Sequence, residues 1–334
     1  MKFITEVKII IDSAIPFIEG VFEPFATVVY VAGSKIDRED VRDADALIVR
    51  TRTRCDKNLL EGSTIKHIAT ATIGYDHIDL DYCAKSGIEV TTAAGCNSRG
   101  VLQWVGAALS LLSKMEGWQP RQKVLGVIGV GNVGRLIEEY GRAWGFEVIC
   151  CDPPRGVEGF LELDELLSRA DIISLHTPLD STTRHLINSR NIKLLKPQST
   201  IINSSRGEVV DSRALLENPS YRLLLDVWEG EPNINITLLN RAIVSTPHIA
   251  GYSLQGKANG TAIVVNSIAQ SLNLPISGWY PDVKRNDGGA ITWEEMQRSI
   301  GQYFDIERET QQLKGNRDLF EKLRNSYSYR KEYF

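Results

Sequence analysis

KVLGVIGVGNVGRLIEEYGRAWGFEVICCD (123–152) decides the fold. An apolar run, KVLGVIGV, leads into a turn where Gly129, Gly131 and Gly134 stand at G-x-G-x-x-G spacing. A helical pattern follows from about Asn132, and the next apolar run, FEVICCD, ends in Asp152. Strand, glycine turn, helix and strand in that order form a βαβ unit. The glycines allow a tight turn, close approach to a pyrophosphate, and close packing of strand on helix. The first helical residues, Asn132 and Val133, offer N–H groups to phosphate, and Asp152 stands where an acid takes ribose hydroxyls. The spacing predicts a bound dinucleotide. Asp152 repels a 2′-phosphate and favours NAD over NADP. Arg155 is the competing signal, and the Pro153–Pro154 step is expected to carry it away.

Working outward, the same alternation runs through most of the chain. DIISLHTP (171–178), STIINSS (199–205), RLLLDVW (222–228) and AIVSTPH (242–248) continue this sheet. Upstream, VKIIID (7–12), TVVYVA (27–32), ALIVRT (46–51), IKHIATA (65–71) and IEVTTA (88–93) form a separate series. Strands alternating with helical segments predict parallel sheets covered by helices. VLQWVGAALSLLSKM (101–115) is apolar on nearly every side, as expected of a helix buried between domains. GKANGTAIVVNSIAQSL (256–272) is expected to return the chain to the first domain. After WYP (279–281) the composition changes: DVKRNDGGA reads as a linker, and residues 292–334 are charged and helical in pattern. The expected fold class is α/β. It comprises two doubly wound parallel-sheet domains, a flavodoxin-like substrate domain (1–96 and 253–281) and a Rossmann NAD domain (97–252). A small C-terminal dimerisation segment (282–334) follows, too short for a core of its own.

Size and composition agree. A chain of 334 residues calls for more than one core. A hydrophobic share of 43% and a charged share of 24% are ordinary for a globular protein. A net charge of −4 gives no reason to expect a nucleic-acid partner, and no apolar stretch is long enough for a membrane span. MKFITEVKIIID reads as a first strand and not a signal peptide, because Glu6 and Lys8 interrupt it. Cysteines 55, 83, 96, 150 and 151 lack metal-ligand spacing and read as reduced, buried thiols of a cytoplasmic protein.

Thr177, Ser204 and Asp226 sit at C-terminal strand ends of the second series, the edge where open α/β sheets bind ligands. Beyond those ends lie NSSRGEVVD (203–211), DVWEGEP (226–232) and STPHIAGY (245–252). They supply Arg206, whose planar guanidinium can grip a carboxylate in two-pronged fashion. They also supply His248, which can take or return a hydroxyl proton. A carboxylate beside His248 would orient the ring and favour its protonated form. Glu229 and Glu231 both qualify, and spacing does not choose between them.

The words GVGNVG, SLHTPL, NSSRGEVVD, DVWEGEP and TPHIAG resemble those of the D-2-hydroxyacid dehydrogenases, over roughly residues 7–281. The resemblance implies that Arg206, Glu231 and His248 are the catalytic set, with Glu231 as the histidine's partner. It implies a hydride transfer to NAD from a hydroxyl next to a carboxylate, in a cleft between domains. ADALIVRT (44–51), ATATIGYDHID (69–79), CDPPR (151–155) and HIAGYSLQGKANGT (248–261) resemble a branch of the family that takes a phosphorylated 2-hydroxy acid. By that likeness Thr51, Thr72 and Tyr252 contact substrate along with Arg206. Gly251, Asp152, Thr177 and Asp226 belong to the cofactor site, and the protein is a homodimer. Gln103 departs from the Glu that many relatives carry on the buried helix. Arg50, Arg52 and Arg54 beside Thr51, or an arginine of the tail, are the expected phosphate ligands. Alternatives are a dehydrogenase for 3-phosphoglycerate or a simple 2-hydroxy acid, and an NADH-sensing corepressor-type protein.

Overall fold

A computed structural model describes residues 7–334; residues 1–6, with which the expected first domain opens, lie outside the described residues. The chain forms two compact units. One is the chain up to Asn97 with Leu254–Arg285, and the other is Ser98–Ser253 with Asn286–Phe334. The stretch expected as a separate C-terminal segment is therefore divided: residues 282–285 group with the first unit and 286–334 with the second.

The first unit holds strands β1 (Lys8–Asp12), β2 (Thr27–Val31), β3 (Ala46–Val49), β4 (His67–Thr70) and β5 (Glu89–Thr92). All pairings are parallel, in the order β2-β1-β3-β4-β5, a flavodoxin-like arrangement. The apolar runs are nearly continuous because both faces are covered. Ile10, Leu47, Val49 and Ile68 face one core, and Ile9, Ile11, Ile48 and Ala69 the other. Against the latter the helix Leu254–Ser271 lays Val264, Val265, Ile268 and Ala269.

The second unit holds β6 (Val124–Ile128), β7 (Glu147–Cys151), β8 (Ile172–Leu175), β9 (Thr200–Asn203), β10 (Arg222–Leu225) and β11 (Val244–Ser245). The sheet is parallel, in the order β7-β6-β8-β9-β10-β11. The chain crosses from one side of β6 to the other between β7 and β8, and that switch point lies at the glycine turn. The strand that flanks β7 in the widest Rossmann sheets is absent among the described residues. Gly156 and Gly159 break the connection, and Leu161 N–H makes a single ladder-type bond to Cys150 O at 2.8 Å.

Alternate residues again serve two cores. Leu125, Val127, Val148 and Ile202 meet the helix Ser98–Glu116, and Ile128, Ile173, Ile201 and Leu223 face the opposite side. The tail closes over the first of these cores. Trp293 lies 6.2 Å from Trp118, 5.7 Å from Trp144 and 5.8 Å from Phe146, ring centre to ring centre. The Gln103 amide donates to Lys331 O at 3.3 Å, a bond an ionised Glu could not make. All five cysteines are free and buried, and burial pushes Cys55 and Cys150 up to about 12, which leaves them inert. Among the described residues no helix is long and apolar enough to cross a membrane.

Candidate active site

At the end of β6, Gly129 takes the left-handed backbone (φ +82°), and a side chain on Gly134 would overlap the Gly129 carbonyl oxygen. That contact brings the start of the helix Asn132–Trp144 against the turn. Gly131 precedes the helix with open space around it and supplies no side-chain cap, and Asn132 and Val133 begin the first turn. The turn therefore presents backbone N–H groups and no bulk, as a pyrophosphate requires. Asp152 Oδ2 accepts from Val130 N at 2.7 Å, which fixes the carboxylate beside the turn. Arg155 is not carried away by the two prolines. The short 3₁₀ turn Pro153–Arg155 folds it back so that its guanidinium bonds to Val130 O. The hydroxyls of Thr177 and Ser204, past the ends of β8 and β9, are buried with no hydrogen-bond partner among the described residues. Buried hydroxyls are rarely left so, and on this edge a cofactor's polar groups would satisfy them. The residues present thus fit NAD.

Beyond β9 the chain turns tightly. Asn203 Oδ1 accepts from Ser205 N at 3.1 Å and Ser205 Oγ at 2.8 Å, and Asn203 Nδ2 donates to Arg206 O at 2.9 Å. A Cβ at Gly207 would run into the backbone of Trp228 and Glu229, so only glycine lets the Arg206 loop abut the segment after β10. Arg206 itself donates to Ser205 O at 2.8 Å.

The histidine and glutamate are brought together. His248 Nδ1 lies 2.8 Å from Glu231 Oε2, while Glu231 Oε1 accepts from Trp228 N at 2.9 Å. Glu229 is engaged elsewhere, with His185 Nε2 at 2.8 Å and Ser212 N at 3.1 Å, so geometry separates the two acids that spacing left open. Burial is the largest influence on Glu231 and pushes its carboxyl up. The charge and hydrogen bond of His248, the Trp228 N–H and Arg324 outweigh it and hold the carboxyl below the usual range. With Nδ1 committed, Nε2 is the nitrogen left to exchange a proton. His176, just past β8, is differently placed: burial pushes its imidazole down to about 3, and Ser174 Oγ lies 2.8 Å from its Nε2.

His248 sits in the left-handed region (φ +58°), unusual for a non-glycine residue, and its segment is held from both sides. On the amide side, Asp226 is buried. Its backbone O accepts from His248 N at 2.8 Å, and its carboxyl accepts from Ile249 N at 2.8 Å, Ala250 N at 2.9 Å and Thr246 Oγ1 at 2.5 Å. In this arrangement Asp226 faces inward and secures the histidine segment. On the carbonyl side, buried Arg330 donates to Ile249 O at 3.0 Å, Tyr252 O at 3.1 Å, Gly100 O at 2.8 Å and Ala250 O. Gly251 lies within this clamped stretch.

The tail brings a second arginine to the site. Arg324, on the helix Phe320–Asn325, donates through Nε to Tyr252 OH at 3.3 Å, and its Nη1 lies 3.9 Å from Glu231 Oε2. Sequence reading anticipated a tail arginine but had no signal for which one. Thr246 lies within the STPHIAGY stretch, but nothing there singled it out from its neighbours, and nothing singled out Arg330 in the tail.

In the first unit, Thr51 follows β3 and Thr72 follows β4, at the carboxyl ends of adjacent strands. Thr72 Oγ1 pairs with Thr70 Oγ1 at 2.7 Å and donates to Gly74 O at 3.1 Å. Arg50 Nε binds buried Asp12 at 3.2 Å, and Arg54 Nε binds Asp56 at 2.9 Å.

Residues 102–250 match the family model described as D-isomer specific 2-hydroxyacid dehydrogenase, NAD binding domain. The chain is 41% identical over 340 residues to the erythronate-4-phosphate dehydrogenase of Bacteroides fragilis, covering 97% of each. It is 38% identical over 348 residues to that of Escherichia coli O157:H7, covering 98% of this chain and 92% of that one. Among solved structures it resembles D-lactate dehydrogenase of Aquifex aeolicus, complexed with NAD and lactic acid. There the TM-score is 0.67 at 26% identity, over 82% of this chain and 98% of that one. It also resembles NAD+-bound 3-phosphoglycerate dehydrogenase of Entamoeba histolytica, with a TM-score of 0.65 at 25% identity, over 84% and 100%. The glycine turn, the orphaned hydroxyls and the Glu231–His248 pair accord with these likenesses, and the chain belongs to the erythronate-4-phosphate dehydrogenases of the D-isomer-specific, NAD-dependent 2-hydroxyacid dehydrogenase family.

Proposed function

We propose that the protein oxidises the C2 hydroxyl of 4-phosphoerythronate, giving 2-oxo-3-hydroxy-4-phosphobutanoate and NADH, in the biosynthesis of vitamin B6 (pyridoxal 5′-phosphate). The substrate is the one in the names of relatives matched over nearly their whole length. The observation that carries the chemistry is the 2.8 Å bond between His248 Nδ1 and Glu231 Oε2.

In this reading His248 Nε2 takes the hydroxyl proton as the C2–H bond breaks and the carbonyl forms. Glu231 holds the ring in the tautomer that leaves Nε2 a lone pair, and stabilises the imidazolium that results. Arg206 binds the substrate carboxylate and polarises the forming carbonyl oxygen. Thr51, Thr72 and Tyr252 contact the rest of the substrate. When bound, NAD+ supplies the hydride acceptor. It would be held by Gly129, Gly131, Asn132, Val133 and Gly134 at the pyrophosphate, Asp152 at the ribose, and Thr177, Ser204 and Gly251 along the sheet edge. Asp226 serves it indirectly through the histidine segment. The proposal includes a cytoplasmic homodimer that uses residues 282–334, which light scattering on the purified chain would check.

The decisive assay follows NADH absorbance with 4-phosphoerythronate, 3-phosphoglycerate and simple D-2-hydroxy acids, in the native protein and in His248→Ala. Turnover is expected with 4-phosphoerythronate and should vanish in the variant. Preference for another acid would overturn the substrate, and NADH binding without turnover on any of them would favour a sensor.

A further inference from the structure

The proposed substrate carries two anions, and Arg206 accounts for one of them. Two of the arginines beside Thr51 are poor candidates for the other. Arg50 is neutralised by an aspartate that is 1% exposed, and Arg54 is paired with Asp56.

Arg324 is differently placed. Its side chain is 20% exposed, so much of its hydration is gone. Nε is used on Tyr252, but neither terminal NH2 group makes a hydrogen bond among the described residues. Its nearest anion, Glu231 at 3.9 Å, is beyond hydrogen-bond reach and already accepts from His248 and Trp228. The result is a half-buried, planar, two-pronged cation whose tips face no protein acceptor among the described residues. It lies against the catalytic glutamate and the tyrosine that follows the catalytic histidine segment. A partly desolvated guanidinium whose fork no protein group occupies is open to an anionic ligand, and two oxygens of one phosphomonoester match that fork.

We infer that Arg324, delivered by the C-terminal segment, binds the substrate's phosphate and sets the selectivity for phosphorylated over unphosphorylated 2-hydroxy acids. The inference rests on the reading of the substrate given above. It makes the tail part of the binding site, and Tyr252 the residue that holds the fork by its Nε.

The test compares 4-phosphoerythronate with erythronate in the native protein, R324K and R324Q, with NAD binding as the check on folding. Inorganic phosphate serves as a competitive probe. In R324Q the loss of kcat/KM on 4-phosphoerythronate should exceed that on erythronate by about 100-fold, chiefly through KM, as expected for two charge-assisted bonds. R324K, which keeps the charge but not the fork, should recover part of it. Inhibition by phosphate should weaken in parallel, and this arm reads the site even where erythronate turns over too slowly to follow. Equal losses on both substrates with unchanged phosphate inhibition, or no loss at all, would overturn the assignment. A native protein that never turns over 4-phosphoerythronate would instead refute the reading of the substrate.

Discussion

Glu231→Gln separates the tautomer of His248 from its surroundings. In the native pair the Trp228 N–H donates to Glu231 Oε1 at 2.9 Å and His248 Nδ1 donates to Oε2 at 2.8 Å. A glutamine amide lacks that symmetry. Only its oxygen can accept from the Trp228 N–H, so its NH2 must turn toward His248 Nδ1. That nitrogen then has to accept, the ring proton moves to Nε2, and the lone pair that would take the substrate's proton is lost. General base catalysis is worth about 10²–10⁴ in rate, and the same tautomer reversal in the serine-protease triad costs about 10⁴. We expect kcat to fall about 10³-fold, or about 4 kcal/mol in the barrier. The Kd for NAD should move little, because nothing in the cofactor turn changes, and any change in KM should be small beside that in kcat, since Arg324 loses only a nearby charge and no hydrogen bond. The assay is steady-state NADH formation from 4-phosphoerythronate, with NAD affinity measured by fluorescence titration. Glu229→Gln is the control: its oxygen can still accept from Ser212 N, but the carboxylate beside His185 is lost, so it should cost stability while kcat survives. A Glu231→Gln enzyme whose kcat stays within about threefold of native would refute the tautomer argument.

Two further outcomes follow from the same wiring. Arg330→Met keeps the length of the side chain but takes the guanidinium from the carbonyls of Gly100, Ile249, Ala250 and Tyr252; Ile249 O keeps the Tyr252 N–H at 2.8 Å and Gly100 O lies within the helix Ser98–Glu116. At about 1.5–3 kcal/mol for each hydrogen bond to a charged group and with incomplete additivity, urea denaturation should show a loss of about 3 kcal/mol or more. A loss below about 1 kcal/mol would mean the clamp is dispensable. The acid limb of stability should depend on Glu231. Its folded-state carboxyl lies below its unfolded value, so its contribution is complete above about pH 4.3 and disappears as pH falls through the lowered folded value. The native-minus-Glu231→Gln stability difference, measured by denaturation at stepped pH, should therefore shrink on acidification; a difference that grows would have the sign wrong.

The sheets were legible because their signal is local. Runs such as VKIIID and KVLGVIGV name their own conformation, and the glycine spacing names the switch point. The site was legible only as far as strand ends could place it. Asp226 shows why: a residue at the end of β10 is at the right edge, but position does not tell whether its carboxyl points outward to a ligand or inward to Ile249 and Ala250 N–H. Spacing alone hides the choice between Glu229 and Glu231 for the same reason, and only the family resemblance points to Glu231. The choice turns on His185, far upstream, which takes one acid and leaves the other to His248. Arg155 departs from its expected place because the two prolines, instead of stepping rigidly away, start a 3₁₀ turn that doubles back.

The tail carries the least sequence signal and does structural work that nothing else in the second unit duplicates. A non-glycine residue at φ +58° costs of order 1–3 kcal/mol and persists only where its surroundings over-determine it. At His248 the determination is two-sided: a buried carboxyl gathers the N–H groups of 249 and 250, and a buried guanidinium gathers the carbonyls of 249, 250 and 252. Asp226 and Arg330 form no direct ion pair with each other among the described residues; burial pushes the Asp226 carboxyl up, and the charge of His248, the Thr246 hydroxyl and the two N–H groups act against that. Removing either residue therefore frees one side of the loop. The histidine's geometry then depends on a residue more than eighty positions downstream, outside the stretch that the family model matches. Arg324 lies on the same tail, six positions before Arg330. A segment that must be docked for His248 to be in place is also the one that brings the phosphate-binding fork, so loss of the tail should abolish catalysis and selectivity together.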